Sequence, residues 1–421
     1  MRPGAPRVRE LARELWSFPG PGVVTGAADD DPSGIATYSL TGAQTGYQLL
    51  WLSVFTLPLN AAVQNMCARI GLVTGTGLAS VLQRRYSRRL LLVLVSLLFV
   101  ANTVNIGADI AAVASGIELL TGISERAIVV PVGVAIAATE IVVPYRLYAN
   151  YLKVLTLVLF AYVIDAFFAH PDWQQALRST FFPRLHVGAE FVTTLVAVLG
   201  TTISPYLFFW QASEEVEELH KHHERTATEP EIRAAQFDVD AGMLLANVVF
   251  YFIVLTTAAT LYPAGIHHIN TAREAAEALR PLAGDQATIL FAIGFIGTGL
   301  LSIPVLAGSA AYAIAEVFDW REGLERKPSE APQFYVAIGV ATLVGLVIAL
   351  SEVGAIRALF IAAVVNGVIS PVLIAFITMV SGDEAILGRH RNGTLSNVIG
   401  WGTAGVMALA SITMVVLYLV G

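Results

Sequence analysis

Charge is scarce in this chain. Only 14% of its 421 residues are Asp, Glu, Lys or Arg, against about 25% in a soluble protein, and 56% are hydrophobic. That balance excludes a water-soluble globule and specifies an integral membrane protein. Cysteine is scarcer still. Cys67 stands alone in an apolar run, so no internal disulfide can form. The net charge of −7 and the lack of a basic stripe outside short loops argue against nucleic acid as a partner. No apolar run contains HExxH or GxSxG, so nothing supports an intramembrane hydrolase, and the chain is read as a non-enzyme. The short alternating segments of a membrane β-barrel are missing as well. The polar N-terminal segment, 1–19, carries Arg2, Arg7, Arg9 and Arg13; the apolar run after it has an acidic break and no small-residue cleavage site, so no signal peptide is expected. With no low-complexity tract and no long linker, residues 1–421 read as one membrane domain.

What the chain has in quantity is apolar runs of spanning length, about 20 residues each. They lie near 48–70, 90–117, 126–143, 147–168, 189–212, 238–262, 286–315, 333–351, 355–381 and 396–420. An interrupted run precedes them at 20–47, giving about eleven spans in an all-α protein. Lys and Arg placement supports that number. If the N-terminus is cytoplasmic, residues such as Arg84, Arg85, Arg88, Arg89, Arg146, Lys153, Lys221, Arg225, Arg326 and Lys327 all fall inside. Only Arg126, Arg178, Arg184, Arg273, Arg280 and Arg357 fall outside. Positive charge then gathers on the cytoplasmic side, which puts the C-terminus outside.

Two of the spans cannot be continuous. In the first, Asp29, Asp30 and Asp31 are followed by Pro32-Ser33-Gly34. Pro32 lacks an N–H and clashes with the preceding turn, and Gly34 adds backbone freedom. Broken backbone survives at membrane depth only where it is buried in protein or faces a wet cavity. Carboxylates there are costly and mark an ion or substrate path. The sixth span breaks likewise at Leu199 to Tyr206, with Pro205 after Ser204. Two interrupted helices at the starts of two five-helix halves point to an inverted-repeat transporter with a midplane site. The halves are 20–168 and 189–381, and 396–420 is an added eleventh helix.

Several separated stretches resemble the Nramp family of divalent-metal transporters: GPG at 20–22, DPSG at 31–34, GAQTGYQLLW at 42–51, QNMCARIGLVTG at 64–75, YLKVL at 151–155 and PDW at 171–173. The proline-broken sixth helix and the small-residue-rich eighth span resemble it too. The resemblance implies a LeuT-like fold and metal transport. Where the family pattern has DPGN, this chain has Gly34 in the last position. Where it has methionine and histidines in the sixth helix, this chain has Ser204, Tyr206 and Gln211. Of the two acids three apart in the third helix, Asp109 is present and Ile106 takes the other place. The pattern is more similar to the Nramp-related magnesium transporters than to manganese or iron symporters.

On that footing Asp31 is read as ending the first half-helix, beside free carbonyls at a negative dipole end. The carbonyls of Ala28 and Thr201 and the hydroxyl of Ser204 complete an all-oxygen set, with Gly34 leaving room. Oxygen donors suit Mg2+, Ca2+ and Mn2+, and Mg2+ is usually held with several waters still bound. Asp29 and Asp30 either line a vestibule or contact a neighbouring helix, since successive helical residues point about 100° apart. Asp109 is either a remnant proton-path acid or a packing carboxylate bonded to another helix. Glu140 and Asp165 are read as structural. Tyr206, Phe208, Phe209 and Trp210 are packing residues, Tyr206 reaching toward the cavity. Asn366 supplies either a further oxygen or an interhelical hydrogen bond. His220, His222 and His223 match no zinc spacing, and their segment, 214–231, is read as a solvated extension of the sixth helix.

A divalent cation gains about 4.6 kcal/mol per 100 mV from the membrane potential, equivalent to a gradient of about a thousandfold at 1.4 kcal/mol per tenfold. The expected function is therefore facilitative uptake of Mg2+, and also Mn2+, across a plasma (inner) membrane. It needs no cofactor, has the divalent ion and the lipid bilayer as its partners, and works as a monomer. Alternatives are a proton-coupled Mn2+/Fe2+ symporter and an amino-acid or organic-solute transporter of the same fold; the Asp31 run would repel a substrate carboxylate.

Overall fold

The computed structural model describes residues 20–143, 157–183, 188–221, 226–351 and 353–420. The arginines of 1–19, Arg146, the YLKVL stretch with Lys153, Arg184, His222, His223 and Arg225 lie outside them. Among the described residues all regular structure is helical.

The first span is two helices, α1 (Pro21–Asp29) and α2 (Pro32–Thr45). Asp31 stands between them in extended conformation, with ψ 172°, as a residue before proline must. Then follow α3 (Trp51–Thr74), α4 (Leu78–Arg85), α5 (Arg88–Thr121), α6 (Glu125–Val142), α7 (Phe160–Phe168) and α8 (Trp173–Phe181). The sixth span is again two helices, α9 (Ala189–Thr202) and α10 (Pro205–Lys221), with each half of a broken pair now starting on a proline or ending before one. The chain continues through α11 (Glu229–Thr260), α12 (Ala272–Ala276), α13 (Arg280–Ala283), α14 (Ala287–Val317), α15 (Pro332–Ala349), α16 (Ala355–Ser381), α17 (Glu384–Leu387) and α18 (Thr394–Val420).

Seven helical stretches are long and apolar enough to cross a bilayer by themselves: 88–121, 189–221, 229–260, 272–317, 332–349, 355–381 and 394–419. The other four expected positions hold α1 with α2, α3, α6, and the short apolar helix of 157–168. Three of these fall short for a local reason, and the fourth is a short helix of 12 residues. The first is cut in two by Pro32, α3 carries Asn60, Gln64 and Asn65, and α6 carries Glu125, Arg126 and Glu140. Large apolar side chains such as Val93, Val134, Val347, Leu409 and Leu419 remain exposed on the outside of the bundle, as lipid-facing surface should.

The broken helices are held by close backbone packing. Any Cβ at Gly26 would overlap the Gly242 carbonyl, so α1 meets α11 backbone to backbone. Asp238 of α11 then receives the first amides of α1: Gly20 N at 3.2 Å, Gly22 N at 2.6 Å and Val23 N at 3.3 Å. A carboxylate more than 200 residues away caps the helix and meets its positive end.

Candidate functional site

The two breaks meet. Ser33 Oγ donates to Asp31 Oδ1 at 2.7 Å and lies 3.0 Å from Thr201 Oγ1 on the opposite broken helix. Tyr38, one turn further along α2, pairs its hydroxyl with Thr202 at 3.0 Å. The carboxylates Asp29, Asp30 and Asp31 are 1%, 4% and 1% exposed. Three consecutive acids are thus sealed inside the bundle.

Asp31 corrects the sequence reading. It does not end the first half-helix but caps the second, accepting the Gly34 amide on Oδ1 at 2.8 Å. Its charge therefore sits at the favourable, positive end of α2. The cause is legible in hindsight, because an Asp followed by proline at the first helical position is a helix start. Its other oxygen, Oδ2, accepts Asn105 Nδ2 from α5 at 2.9 Å, and the Tyr206 hydroxyl of α10 lies 3.4 Å away. A cation bonding Asp31 directly would most easily displace that long fourth contact.

The other expected ligands join the same network. The Ala28 carbonyl accepts the Tyr206 hydroxyl at 2.7 Å, and the Thr201 carbonyl accepts Ser204 Oγ at 2.7 Å. Ser204 also reaches the Gly200 carbonyl at 2.9 Å. Ala28, Asp31, Thr201, Ser204 and Tyr206 are thereby linked through Ser33 and Tyr206, all of them buried. Gly34 sits at the start of α2, where an added Cβ would be 3.7 Å from Asp31 Oδ1. Tyr206 is more than packing: its hydroxyl bridges the two broken helices. Phe208, Phe209 and Trp210 are buried as expected.

Asp109 faces α14, accepting Ser302 Oγ at 2.6 Å, while its Oδ1 has no partner. Asn366 is buried on α16 with its Nδ2 unpartnered, and Ser370, one turn on, donates to the Ile203 carbonyl in the sixth-span break at 2.8 Å. Glu140 bonds Thr342 at 2.6 Å and Asp165 bonds the Leu282 amide at 2.6 Å, both far from the breaks. The segment after the sixth helix differs from a solvated extension. Helix α10 does run on to Lys221, but Glu215 is buried against Gln211, which in turn accepts Thr25 of α1 at 2.5 Å. Glu217 is bonded by Tyr312 and by the Leu324 amide. His220 is exposed at the helix end.

Sequence reasoning passed over Ser33, Asn60, Gln64 and Asn105. The signal was polar pairs four residues apart inside apolar runs, Asn60 with Gln64 and Asn105 with Asp109, each sharing one helix face. Among the described residues no group of three or more His, Cys, Asp or Glu side chains converges as a metal cage. What faces the breaks is one capped carboxylate with carbonyl, hydroxyl and amide groups.

These features define a polytopic, all-helical membrane protein in which two broken helices meet over a buried acidic site. A family model described as "Natural resistance-associated macrophage protein-like" matches residues 22–417, and the chain belongs to that Nramp family. Among curated relatives, a divalent metal cation transporter MntH of Aeromonas hydrophila is 27% identical over 391 residues, covering 90% of this chain and 91% of the relative. A protein of the same name from Bacillus subtilis is 25% identical over 412 residues, covering 96% and 93%. Among solved structures, a manganese transporter from Eremococcus coleocola superposes with a TM-score of 0.77 at 19% identity, covering 99% of this chain and 89% of that one. Mhp1, a nucleobase-cation-symport-1 family transporter, superposes with a TM-score of 0.58 at 14% identity, covering 94% and 92%. The fold is thus LeuT-like, and the chain is a multi-pass, Nramp-type divalent-metal transporter.

Proposed function

We propose that this protein carries Mg2+, and also Mn2+, by alternating access and without proton coupling, as uptake driven by the membrane potential. The observation that carries the reading is the make-up of the gap between the two breaks. Asp31, the Ala28 and Thr201 carbonyls and Ser204 are all oxygen donors in one buried network, and no thioether or imidazole of the described residues is joined to it. Hard cations prefer such a set. Gly34 and Ser204 bring neither an amide nor a thioether to the gap. Asp29, Asp30, Asp109, Tyr206 and Asn366 surround this set as approach or supporting groups. In this reading 20–168 and 189–381 are the inverted repeats and 396–420 is the added helix. The protein works as a monomer in the plasma (inner) membrane, N-terminus cytoplasmic and C-terminus outside.

A proton-coupled manganese symporter is the second reading. The names of the relatives favour it, as does the unpartnered Oδ1 of Asp109. Cadmium separates the two, because a soft-ligand site binds it tightly and an oxygen site does not. Flux into proteoliposomes tests the ion site itself. Asp31→Asn abolishes Mg2+ and Mn2+ uptake if Asp31 anchors the ion; uptake at the wild-type rate would refute the assignment.

A further inference from the structure

Asp31 is the best satisfied of the three acids: it takes three donors, from Ser33, Gly34 and Asn105, with the Tyr206 hydroxyl, whose proton goes to the Ala28 carbonyl, 3.4 Å away. Its neighbours are the reverse. Asp29 receives one long hydrogen bond, from Asn60 Nδ2 of α3 at 3.3 Å, and its Oδ1 has no partner. Asp30 Oδ1 has none either. On α3, Asn60 Oδ1 and both polar atoms of Gln64 are buried without partners, and both residues are 0% exposed. Asn60 and Gln64 are one turn apart and share a face, and Asn60 on that face meets Asp29. Buried polar atoms are nearly always hydrogen-bonded, so five orphans from four neighbouring residues call for an explanation.

Electrostatics points the same way. Asp29 is the last residue of α1 and Asp30 its C-cap, so both carboxylates lie at the negative end of that helix, where anions are disfavoured. No ion pair to either is present among the described residues. Uncompensated buried carboxylates are costly. A cation relieves both the charge and the orphaned oxygens at once.

We propose that Asp29, Asn60 and Gln64, with Asp30 beside them, form a second cation subsite on the α1 side of the break. It takes a hydrated divalent cation on its way between Asp31 and the far end of α1. Asp29 Oδ1, Asp30 Oδ1, Asn60 Oδ1 and Gln64 Oε1 are hard oxygen donors, and the Gln64 amide has no acceptor among the described residues. The polar line continues along α1 from Asp29 to Thr25, which bonds Gln211 and through it Glu215. Because adjacent acids hold the two subsites, one ion occupies them in turn. This inference rests on the proposed ion transport, and the test separates the two.

The test measures Mn2+ binding by electron paramagnetic resonance to the purified full-length protein, alongside proteoliposome flux. Asp31→Asn should abolish flux yet keep Mn2+ binding, weakened roughly tenfold. Adding Gln64→Leu to Asp31→Asn should remove that residual binding, and adding Gln64→Glu should tighten it. With Asp31 intact, Gln64→Leu should lower the maximal flux at least tenfold while KM changes less than twofold. Loss of all Mn2+ binding in Asp31→Asn overturns the subsite and leaves the proposed transport standing. Residual binding indifferent to both Gln64 changes overturns it too. If Gln64→Leu fails to fold, the Gln64→Glu arm decides alone. Wild-type flux in Asp31→Asn instead refutes Asp31 as the anchoring ligand of the proposed ion site.

Discussion

Replacing Asn105 by leucine removes one donor from Asp31 and little else. The two side chains share the same branching at Cγ and the same number of heavy atoms, and Asn105 Oδ1 has no partner to lose among the described residues. The lost contact is the 2.9 Å bond from Asn105 Nδ2 to Asp31 Oδ2. A hydrogen bond to a charged group contributes about 1.5–3 kcal/mol, and each 1.4 kcal/mol is about tenfold in affinity. Partners that orient a metal-binding carboxylate typically change affinity by roughly 10–100-fold when removed. Asn105→Leu should therefore raise the KM for Mg2+ and Mn2+ uptake by roughly 10–100-fold, measured as flux into proteoliposomes over a range of ion concentrations. Asn102 provides the control. It lies on the same helix and donates an equally short bond, 2.9 Å, but to the Leu306 carbonyl. Asn102→Leu should lower the melting temperature and leave KM alone. A KM unchanged by Asn105→Leu, or shifted equally by both substitutions, would refute the role assigned to Asn105.

Two further outcomes follow from the same geometry. Ser204→Met with Gly34→Asn places a thioether and an amide at the gap. A Cβ at Gly34 meets the Asp29 carbonyl and Tyr38 at 3.3 Å, so the helix start must yield by a few tenths of an ångström. Cadmium affinity should rise at least tenfold relative to Mg2+, and calorimetry showing no change would contradict the oxygen-site account. Asp238→Ala removes the three amide bonds that hold the start of α1, worth about 1–3 kcal/mol. An Ala27→Cys reporter should then label roughly 10–100-fold faster. The native Cys67 is buried and serves as background. Equal labelling rates with and without Asp238 would show that the cap does not hold α1.

The architecture was largely legible in the sequence because its strongest rules are local. Proline alone does not break a helix here, since Pro58, Pro131, Pro304 and Pro371 sit inside continuous ones; Pro32 and Pro205 marked the interruptions because each follows a polar residue, Asp31 or Ser204, in an apolar run. Spanning length is set by bilayer thickness, so the apolar runs that fall within the described residues coincide with helices, seven of them long and apolar enough to cross a bilayer. Harder to read were the positions that depend on which helix faces which. Asp31 caps the second half-helix and does not end the first; Asp-Pro is a start signal, but the acids before it give no local sign of which half-helix Asp31 serves. Asn105, Asn60 and Gln64 were single polar residues in apolar runs until the fold brought them to the acids. The Asp238 cap on α1 joins residues 216 apart, and no local pattern could have announced it.

The central claim is that an oxygen-lined gap moves a hard divalent cation without moving protons. Flux of Mg2+, Mn2+ and Ca2+ into proteoliposomes, with internal pH recorded during a pH-clamped and voltage-clamped run, tests it most directly. The account predicts Mg2+ and Mn2+ entry that scales with voltage, unaccompanied by acidification. Internal acidification driven by metal entry, or uptake confined to Mn2+ with Mg2+ excluded, would contradict it.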